Sequence, residues 1–104
     1  MRIIPLKPLP SQVLNVVLNN QNCQIKIYQK FYGLFIDLYI NDVIIIGGVI
    51  AEDRNRIVRS IYLGFIGDLA FVDTQGQSNP EYSGLGDRFF LAYFDSDEVT
   101  ALVS

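Results

Sequence analysis

Strict alternation of core-forming and other side chains is the feature of this sequence that most restricts its fold. In segments 23–28 and 34–40, every second residue is Cys, Ile or Leu. Successive side chains of a β-strand point to opposite faces, so the pattern predicts two strands, each with one buried face. The side chains expected in the core are Cys23, Ile25, Ile27, Leu34, Ile36, Leu38 and Ile40.

The residues on either side of these segments predict further strands with short connections. Gln12–Leu18 is rich in Val and Leu, and Asn19–Asn22 tolerates tight-turn dihedral angles, so a hairpin is expected. Asn41-Asp42 is a candidate two-residue turn. The apolar run 43–46 that follows is continuous, which predicts that both of its faces are covered, and Gly47-Gly48 is expected to mark a bulge.

The middle of the chain, residues 52–63, changes character. It begins with charged and polar residues and then places Ile57 and Ile61, and Val58 and Tyr62, four positions apart. This spacing predicts a short helix or an irregular crossover.

The last third of the sequence predicts two strands separated by a long loop. Apolar strands are expected at 69–72 and 88–94, and residues 73–87 between them contain three glycines and a proline. A loop of this length is usually functional or ordered by a partner.

These elements predict an all-β fold: a small antiparallel barrel resembling the OB-fold, with one short helix or crossover in the middle. A sandwich of two sheets fits the same pattern. With 104 residues, one domain spanning 1–104 is expected, with 1–10 as an extended proline-rich arm and 95–104 as a flexible tail. Three prolines in the arm argue against a signal peptide, and the longest apolar run is too short to span a bilayer.

Composition argues against most enzyme classes. The chain has no histidine, which removes Ser-His and Cys-His catalysis and histidine metal sites, and its single cysteine cannot form an internal disulfide. The net charge of −3 argues against a broad nucleic-acid footprint. We therefore expect neither catalysis nor a cofactor.

The long loop carries the carboxylates that most resemble a metal site. They are Asp68, Asp73, Glu81 and Asp87. Counted from Asp73, glycine occupies the fourth and twelfth positions, which does not match a calcium loop with Gly at six and Glu at twelve. We expect no metal; Asp73 to Gly76 instead predicts an Asx-turn with Gly76 left-handed, and Gly84-Leu85-Gly86 predicts a bend before the last strand.

Low charge and abundant apolar surface predict that part of the surface is covered by a partner: 18% of residues are charged and 50% are hydrophobic. The only basic cluster of the sequence is Arg54, Arg56 and Arg59. These arginines are expected either to be solvated or to pair with carboxylates of an adjoining subunit. Beside Phe31, Tyr32 or Tyr39, they would instead suit single-stranded nucleic acid. The candidate interface residues are Phe35, Tyr39, Arg54, Arg56, Arg59, Tyr82 and Leu85.

Several stretches between about residues 4 and 93 resemble one protein family. The resemblance is most specific in Gly-Phe-x-Gly-Asp-Leu at 64–69 and in Gly-Leu-Gly-x-Arg-Phe at 84–89. Further stretches are Ile4-Pro5-Leu6, Gln21-Asn22-Cys23, Ile36-Asp37-Leu38-Tyr39, Phe71–Gly76 and Asn79–Ser83. They resemble the baseplate plug proteins of contractile-tailed phages, which are small OB-fold proteins of the cyanophage plug type.

This resemblance implies a structural role in the tail baseplate of a virion. It implies packing against the hub, tail-tube and spike proteins and against further copies of the chain, after synthesis in the cytoplasm of the bacterial host. Two other classes stay open: an OB-fold binding module for single-stranded nucleic acid or oligosaccharide, and a small hydrolase resting on Asp73 and Asp87. Salt-sensitive binding would mark the first, and loss of turnover in Asp73→Asn the second.

Overall fold

Antiparallel strands dominate the computed structural model, which describes residues 2–59, 65–95 and 97–98. Within these residues, the all-β prediction is confirmed, and a short 3₁₀ turn, Tyr82–Gly84, precedes the last strand. The strands are β1 Arg2–Ile4, β2 Ser11–Leu18, β3 Gln21–Lys30, β4 Gly33–Ile40, β5 Val43–Ile50, β6 Asp68–Asp73 and β7 Phe89–Phe94.

The larger sheet is a four-stranded meander in the order β2-β3-β4-β5. Two of its turns have left-handed backbone angles at both central residues: Asn19 and Asn20 at φ 51° and 61°, and Asn41 and Asp42 at φ 49° and 65°. Asn and Asp tolerate this conformation, whose twist matches the flanking strands. The hairpin at β2–β3 and the two-residue turn at Asn41-Asp42 are both confirmed.

The smaller sheet has three strands in the order β1-β7-β6. β1, from the proline-rich arm, pairs as an edge strand, and the Gln12 side chain then bonds both the backbone N–H and the C=O of Lys7. The arm is therefore held against the start of β2.

The crossover between the sheets is irregular over residues 51–59. Isolated bridges join Asp53 to Phe71 and Arg56 to Ala70, so this stretch lies along β6 without forming a helix. Ile61 and Tyr62, on which the alternative of a short helix rested, lie outside the described residues. So does the predicted tail beyond Asp95, Asp97 and Glu98.

The core lies between the two sheets and contains the side chains that the alternation selected. Six of the seven predicted positions are at most 2% exposed, and Ile40 packs against them at the margin. Burial raises the pKa of the Cys23 thiol, so its reactive thiolate is disfavoured. The larger sheet contributes Leu18, Cys23, Ile25, Ile27, Leu34, Ile36 and Leu38, the smaller sheet contributes Ile4, Leu69, Phe71, Phe89, Leu91 and Tyr93, and Leu6 comes from the arm between β1 and β2.

The predicted barrel does not close among the described strands, which form two separate ladders. On one side, β1 is three residues long and is followed by Pro5, and no ladder joins it to β2 among the described strands. The Arg2 side chain does reach β2, where its Nη1 donates to Val17 O at 2.9 Å. On the other side, the crossover offers single bridges instead of a ladder.

The prediction that both faces of 43–46 are covered is wrong for the isolated chain. Val43 is 62% exposed and Ile44 is 54% exposed, and β5 is an edge strand. Ile44 lies opposite the outward-facing Tyr39 on the outer face, and Val43 lies opposite Ile40 at the margin of the core face. The irregularity expected at Gly47-Gly48 is confirmed: the β4–β5 register shifts there, and Gly48 has a left-handed φ of 66°.

Candidate interaction surfaces

The outer face of the larger sheet carries a group of aromatic rings. Tyr28 and Phe35 are directly opposite on β3 and β4, and their rings stack with centroids 6.0 Å apart. The Lys30 ammonium lies 5.5 Å from the Tyr28 centroid, and the Lys26 ammonium lies 4.8 Å from that of Tyr39. Phe35 and Tyr39 are half-buried and point outward, as the alternation predicted.

Asp37 connects these rings to the β5 bulge. Its Oδ1 accepts a hydrogen bond from Tyr28 Oη at 2.8 Å and another from the Gly48 N–H at 2.7 Å. Desolvation, followed by the interaction with Asp37, raises the pKa of Tyr28, which keeps the phenol as a donor. The aromatic face is thus ordered before any partner binds.

The outer face of the smaller sheet is apolar. β7, Phe89–Phe94, has no charged or amide side chain, and its one hydroxyl belongs to the buried Tyr93, although only alternate residues can face the core. Phe90 and Phe94 point outward and remain half-buried, beside Val72 on β6. Apolar residues on both faces of a strand are typical of strands that are buried on both faces.

The three arginines lie along the crossover beside β6. Arg54 approaches Asp53 at 3.5 Å, Arg56 approaches Asp68 at 3.8 Å, and Arg59 Nε donates to the carbonyl of Arg56 at 2.6 Å. These groups therefore already interact within the chain. The Arg54 side chain is still 61% exposed and keeps a surface for a partner.

Asp68 organises the crossover. Its Oδ1 accepts backbone hydrogen bonds from Ile57, Val58 and Leu69 at 2.7–3.2 Å, and Oδ2 accepts one from Arg59 at 2.9 Å. Sequence reasoning missed this role because the contacts depend on where the crossover lies in space.

Asp73 and Arg88 close the long loop. Arg88 donates from Nε and Nη2 to the two carboxylate oxygens of Asp73, each at 2.8 Å, and Gln75 and Ser78 donate backbone N–H groups to the same carboxylate. Arg88 lowers the pKa of Asp73 well below its usual range. The Asx-turn is confirmed at Gln75, but the predicted left-handed Gly76 is wrong, because Gly76 does not have a positive φ.

The two interface candidates in the loop have different environments. Tyr82 is 37% exposed and stands at the 3₁₀ turn, whereas Leu85 is 2% exposed and belongs to the core. Leu85 is therefore corrected from a surface residue to a packing residue. The bend expected around it is confirmed by the left-handed φ of 81° at Gly86.

Within the described part of the chain, no group of three or more His, Cys, Asp or Glu side chains is placed to bind a metal ion. The same residues contain no helix long and apolar enough to cross a bilayer. The outer faces of the two sheets carry the apolar and aromatic side chains described above.

One known protein family matches nearly the whole chain. The family described as "Cyanophage baseplate Pam3 plug gp18" matches residues 1–97 of the chain. The chain belongs to this family of baseplate plugs. Membership places the chain in the tail baseplate of the virion, in agreement with the resemblance seen in the sequence. No curated protein sequence matches the chain.

The predicted interface residues of this plug-family chain do not form one patch. Phe35 and Tyr39 lie on the larger sheet, and the arginines lie beside the smaller one. Sequence reasoning left Phe31 and Tyr32 out of the interface set, although they are 99% and 80% exposed. The sequence did carry a sign of their exposure, because two aromatic residues occupy the position of a two-residue turn.

Proposed function

We propose that the chain is a structural subunit without a catalytic step, held between neighbouring baseplate proteins through the outer faces of its two sheets. The observation that carries this is the outer face of β7, where Phe90 and Phe94 stand outward on a strand without a charged or amide side chain. A solvated antiparallel sheet alternates apolar with polar positions, so this face fits a chain that is covered in the assembly.

The partners and the architecture in this proposal are those that the sequence resemblance implies. The partners are hub, tail-tube and spike proteins of a contractile tail, together with other copies of the chain, and the architecture is a relative of the OB-fold that has opened between β1 and β2. The apolar outer faces support burial by protein, because protein interfaces are enriched in aromatic residues and arginine.

The nucleic-acid alternative required the three arginines beside Phe31, Tyr32 or Tyr39 on one face. The aromatic residues lie on the larger sheet and its β3–β4 turn, whereas the arginines lie on the crossover beside the smaller sheet. Arg56 is also paired with the buried carboxylate of Asp68. This arrangement favours the structural proposal over a groove for single strands.

The test is the mass and stoichiometry of the purified chain, alone and mixed with the other baseplate proteins of the same tail, at low and high salt. A defined complex that survives high salt is expected, because apolar burial is not screened. Phe90→Ser should weaken that complex, while the exposed loop change Gln77→Ser serves as the matched control. A monomer that ignores these proteins but binds single-stranded DNA at low salt would overturn the proposal.

A further inference from the structure

The two sheets leave four strand edges among the described residues, and three of these edges are protected. β1 is three residues long and is followed by Pro5, the crossover lies along β6, and a bulge with the left-handed Gly48 interrupts β5. Short strands, prolines, bulges and covering segments are the devices by which proteins keep their edges from pairing with other chains. The fourth edge is β2.

β2 has none of these devices. It is eight residues long, contains no charged residue and no proline, and pairs with β3 without a register shift over its whole length. Two of its outward side chains are large and apolar: Val13 is 55% exposed and Val17 is 54% exposed. A long, regular and apolar edge of this kind is a template for a further strand.

The backbone of β2 presents alternate residues to such a strand. The turn between β2 and β3 has two residues, so the pair that flanks it, Leu18 and Gln21, exchanges backbone hydrogen bonds, as does every second pair from there. The pairs of Val13, Asn15 and Val17 are the ones in between. These three residues therefore direct their N–H and C=O groups away from β3.

The contacts of the outward backbone groups agree with this direction. Arg2 Nη1 donates to the carbonyl oxygen of Val17 at 2.9 Å. The outward N–H and C=O groups of Val13 and Asn15 have no hydrogen-bond partner among the residues that the structure describes. A carbonyl oxygen has two lone pairs, so Val17 can accept a further hydrogen bond beside that of Arg2.

The side chains of β2 complement those of a second β2 strand. In an antiparallel pair centred on Asn15, Val13 of each copy lies opposite Val17 of the other, and the two Asn15 amides, which both donate and accept, lie opposite each other. On the inner face, Leu14 lies opposite Val16, and both are half-buried at the margin of the core. Apolar side chains thus meet apolar ones, and no charges are opposed. The registers on either side would place Asn15 opposite a valine.

We propose that β2 pairs antiparallel with β2 of a second copy of the chain, across a two-fold axis at Asn15, so that the two larger sheets become one. The inference rests on the proposed function, in which copies of the chain pack together, and it adds the strand and the register of that contact. A two-fold axis makes the same surface serve both copies, which is what a strand with a palindromic pattern of side chains fits.

A cysteine at the axis tests the register directly. Opposed residues of a hydrogen-bonded antiparallel pair have Cα atoms about 5.5 Å apart, a distance that a disulfide spans. Under mild oxidation, Asn15→Cys should therefore link two copies, both in the purified chain and in the complex with the other baseplate proteins. Val13→Cys is the matched control, because its two thiols would stand about 13 Å apart along the strands and should not link. The wild-type chain gives the background, since its one thiol, Cys23, is buried.

A like charge at the axis tests the pairing without a new bond. Asn15→Lys opposes two ammonium groups, so the dissociation constant of the dimer, measured by sedimentation, should rise at least about tenfold. Because Asn15 is exposed, the variant should still fold, with a melting temperature near that of the wild type. Asn22→Lys adds the same charge at an exposed position of β3, away from the edge, and should leave the dimer intact.

Each outcome decides a separate point. A link in Asn15→Cys that Val13→Cys does not form supports the paired edge, and so does dispersal by Asn15→Lys but not by Asn22→Lys. Equal linking of both cysteine variants overturns the register. No link in either the purified chain or the complex overturns the pairing, and an intact complex then leaves the proposed function standing. Loss of another baseplate protein by Asn15→Lys, with no link at residue 15, overturns the second copy as the occupant. Failure of the wild-type chain to join the complex overturns the proposed function itself.

Discussion

Arg88 donates two parallel hydrogen bonds of 2.8 Å to the carboxylate of Asp73, at the base of the long loop between β6 and β7. The Asp73 side chain is fully buried, whereas that of Arg88 is 34% exposed. A guanidinium holds both carboxylate oxygens in a fixed geometry, so the pair defines where β6 ends and β7 begins. Tyr82 lies on the loop that this pair closes, and its position therefore depends on the pair.

This ion pair predicts acid-sensitive folding. The pKa of Asp73 in the folded chain lies far below its ordinary value of 3.8, so its stabilising contribution is complete above pH values near 4 and is lost as the pH falls through the folded value. Asp73→Asn should lower the free energy of unfolding at pH 7, and the decrease between pH 7 and pH 3 should be smaller than in the wild type.

Chemical denaturation at pH 7 and pH 3 measures both effects. Asp87→Asn, which changes an exposed carboxylate in the same loop, is the control and should behave as the wild type. An Asp73→Asn chain with the full wild-type acid dependence would show that other carboxylates cause it.

Replacing Asp68 is expected to lower the stability of the chain by a second mechanism, independent of Asp73. An asparagine at this position has one acceptor oxygen and would turn its amide toward the N–H groups that the carboxylate now accepts. Asp68→Asn should therefore cost about 1–3 kcal/mol, the usual cost of unsatisfied buried groups. Thermal or chemical unfolding measures the cost, with the exposed turn change Asp42→Asn as the control. A loss below about 0.5 kcal/mol, the usual range for surface changes, would show that the crossover is held by other contacts.

Local sequence patterns predicted the meander because its order is local. Burial on one face selects every second residue, so the alternation identified β3, β4 and their core positions, and Asn41-Asp42 was recognisable as a turn from residue type alone. Each of these inferences uses residues within one strand or one hairpin.

The features that were missed depend on distant parts of the chain. Asp68 bonds residues 9 to 11 positions earlier, and Arg88 reaches back 15 positions to Asp73. Leu85 lies in a glycine-rich loop, which predicts exposure, yet the bend turns its side chain into the core. The gap between β1 and β2 likewise follows from how the two sheets pack, which no local spacing encodes.

Replacing Phe35 is expected to weaken assembly more than it lowers the free energy of unfolding. Its ring is half-buried and stacks on Tyr28, so Phe35→Ser should lower the free energy of unfolding by about 1 kcal/mol. Assembly with the baseplate proteins should weaken more strongly, because outward aromatics contribute most when a partner covers them. Denaturation and binding of the same samples measure the two effects, with Gln24→Ser on the same face as the control. Reduced stability with intact binding would contradict an interface role for Phe35.

Gly86 and Gly48 form a matched pair for testing how closely the arm packs on the loop. Both have left-handed φ angles, 81° and 66°, so alanine brings similar backbone strain of about 1 kcal/mol at either position. A Cβ at Gly48 meets nothing within 4 Å, whereas one at Gly86 would lie 2.5 Å from the carbonyl oxygen of Leu6. Gly86→Ala should therefore lower the melting temperature clearly more than Gly48→Ala, because it also pushes the arm away from the loop. Equal melting temperatures would mean that the arm moves aside without cost, and that the contact between Leu6 and the loop does not hold β1 in the smaller sheet.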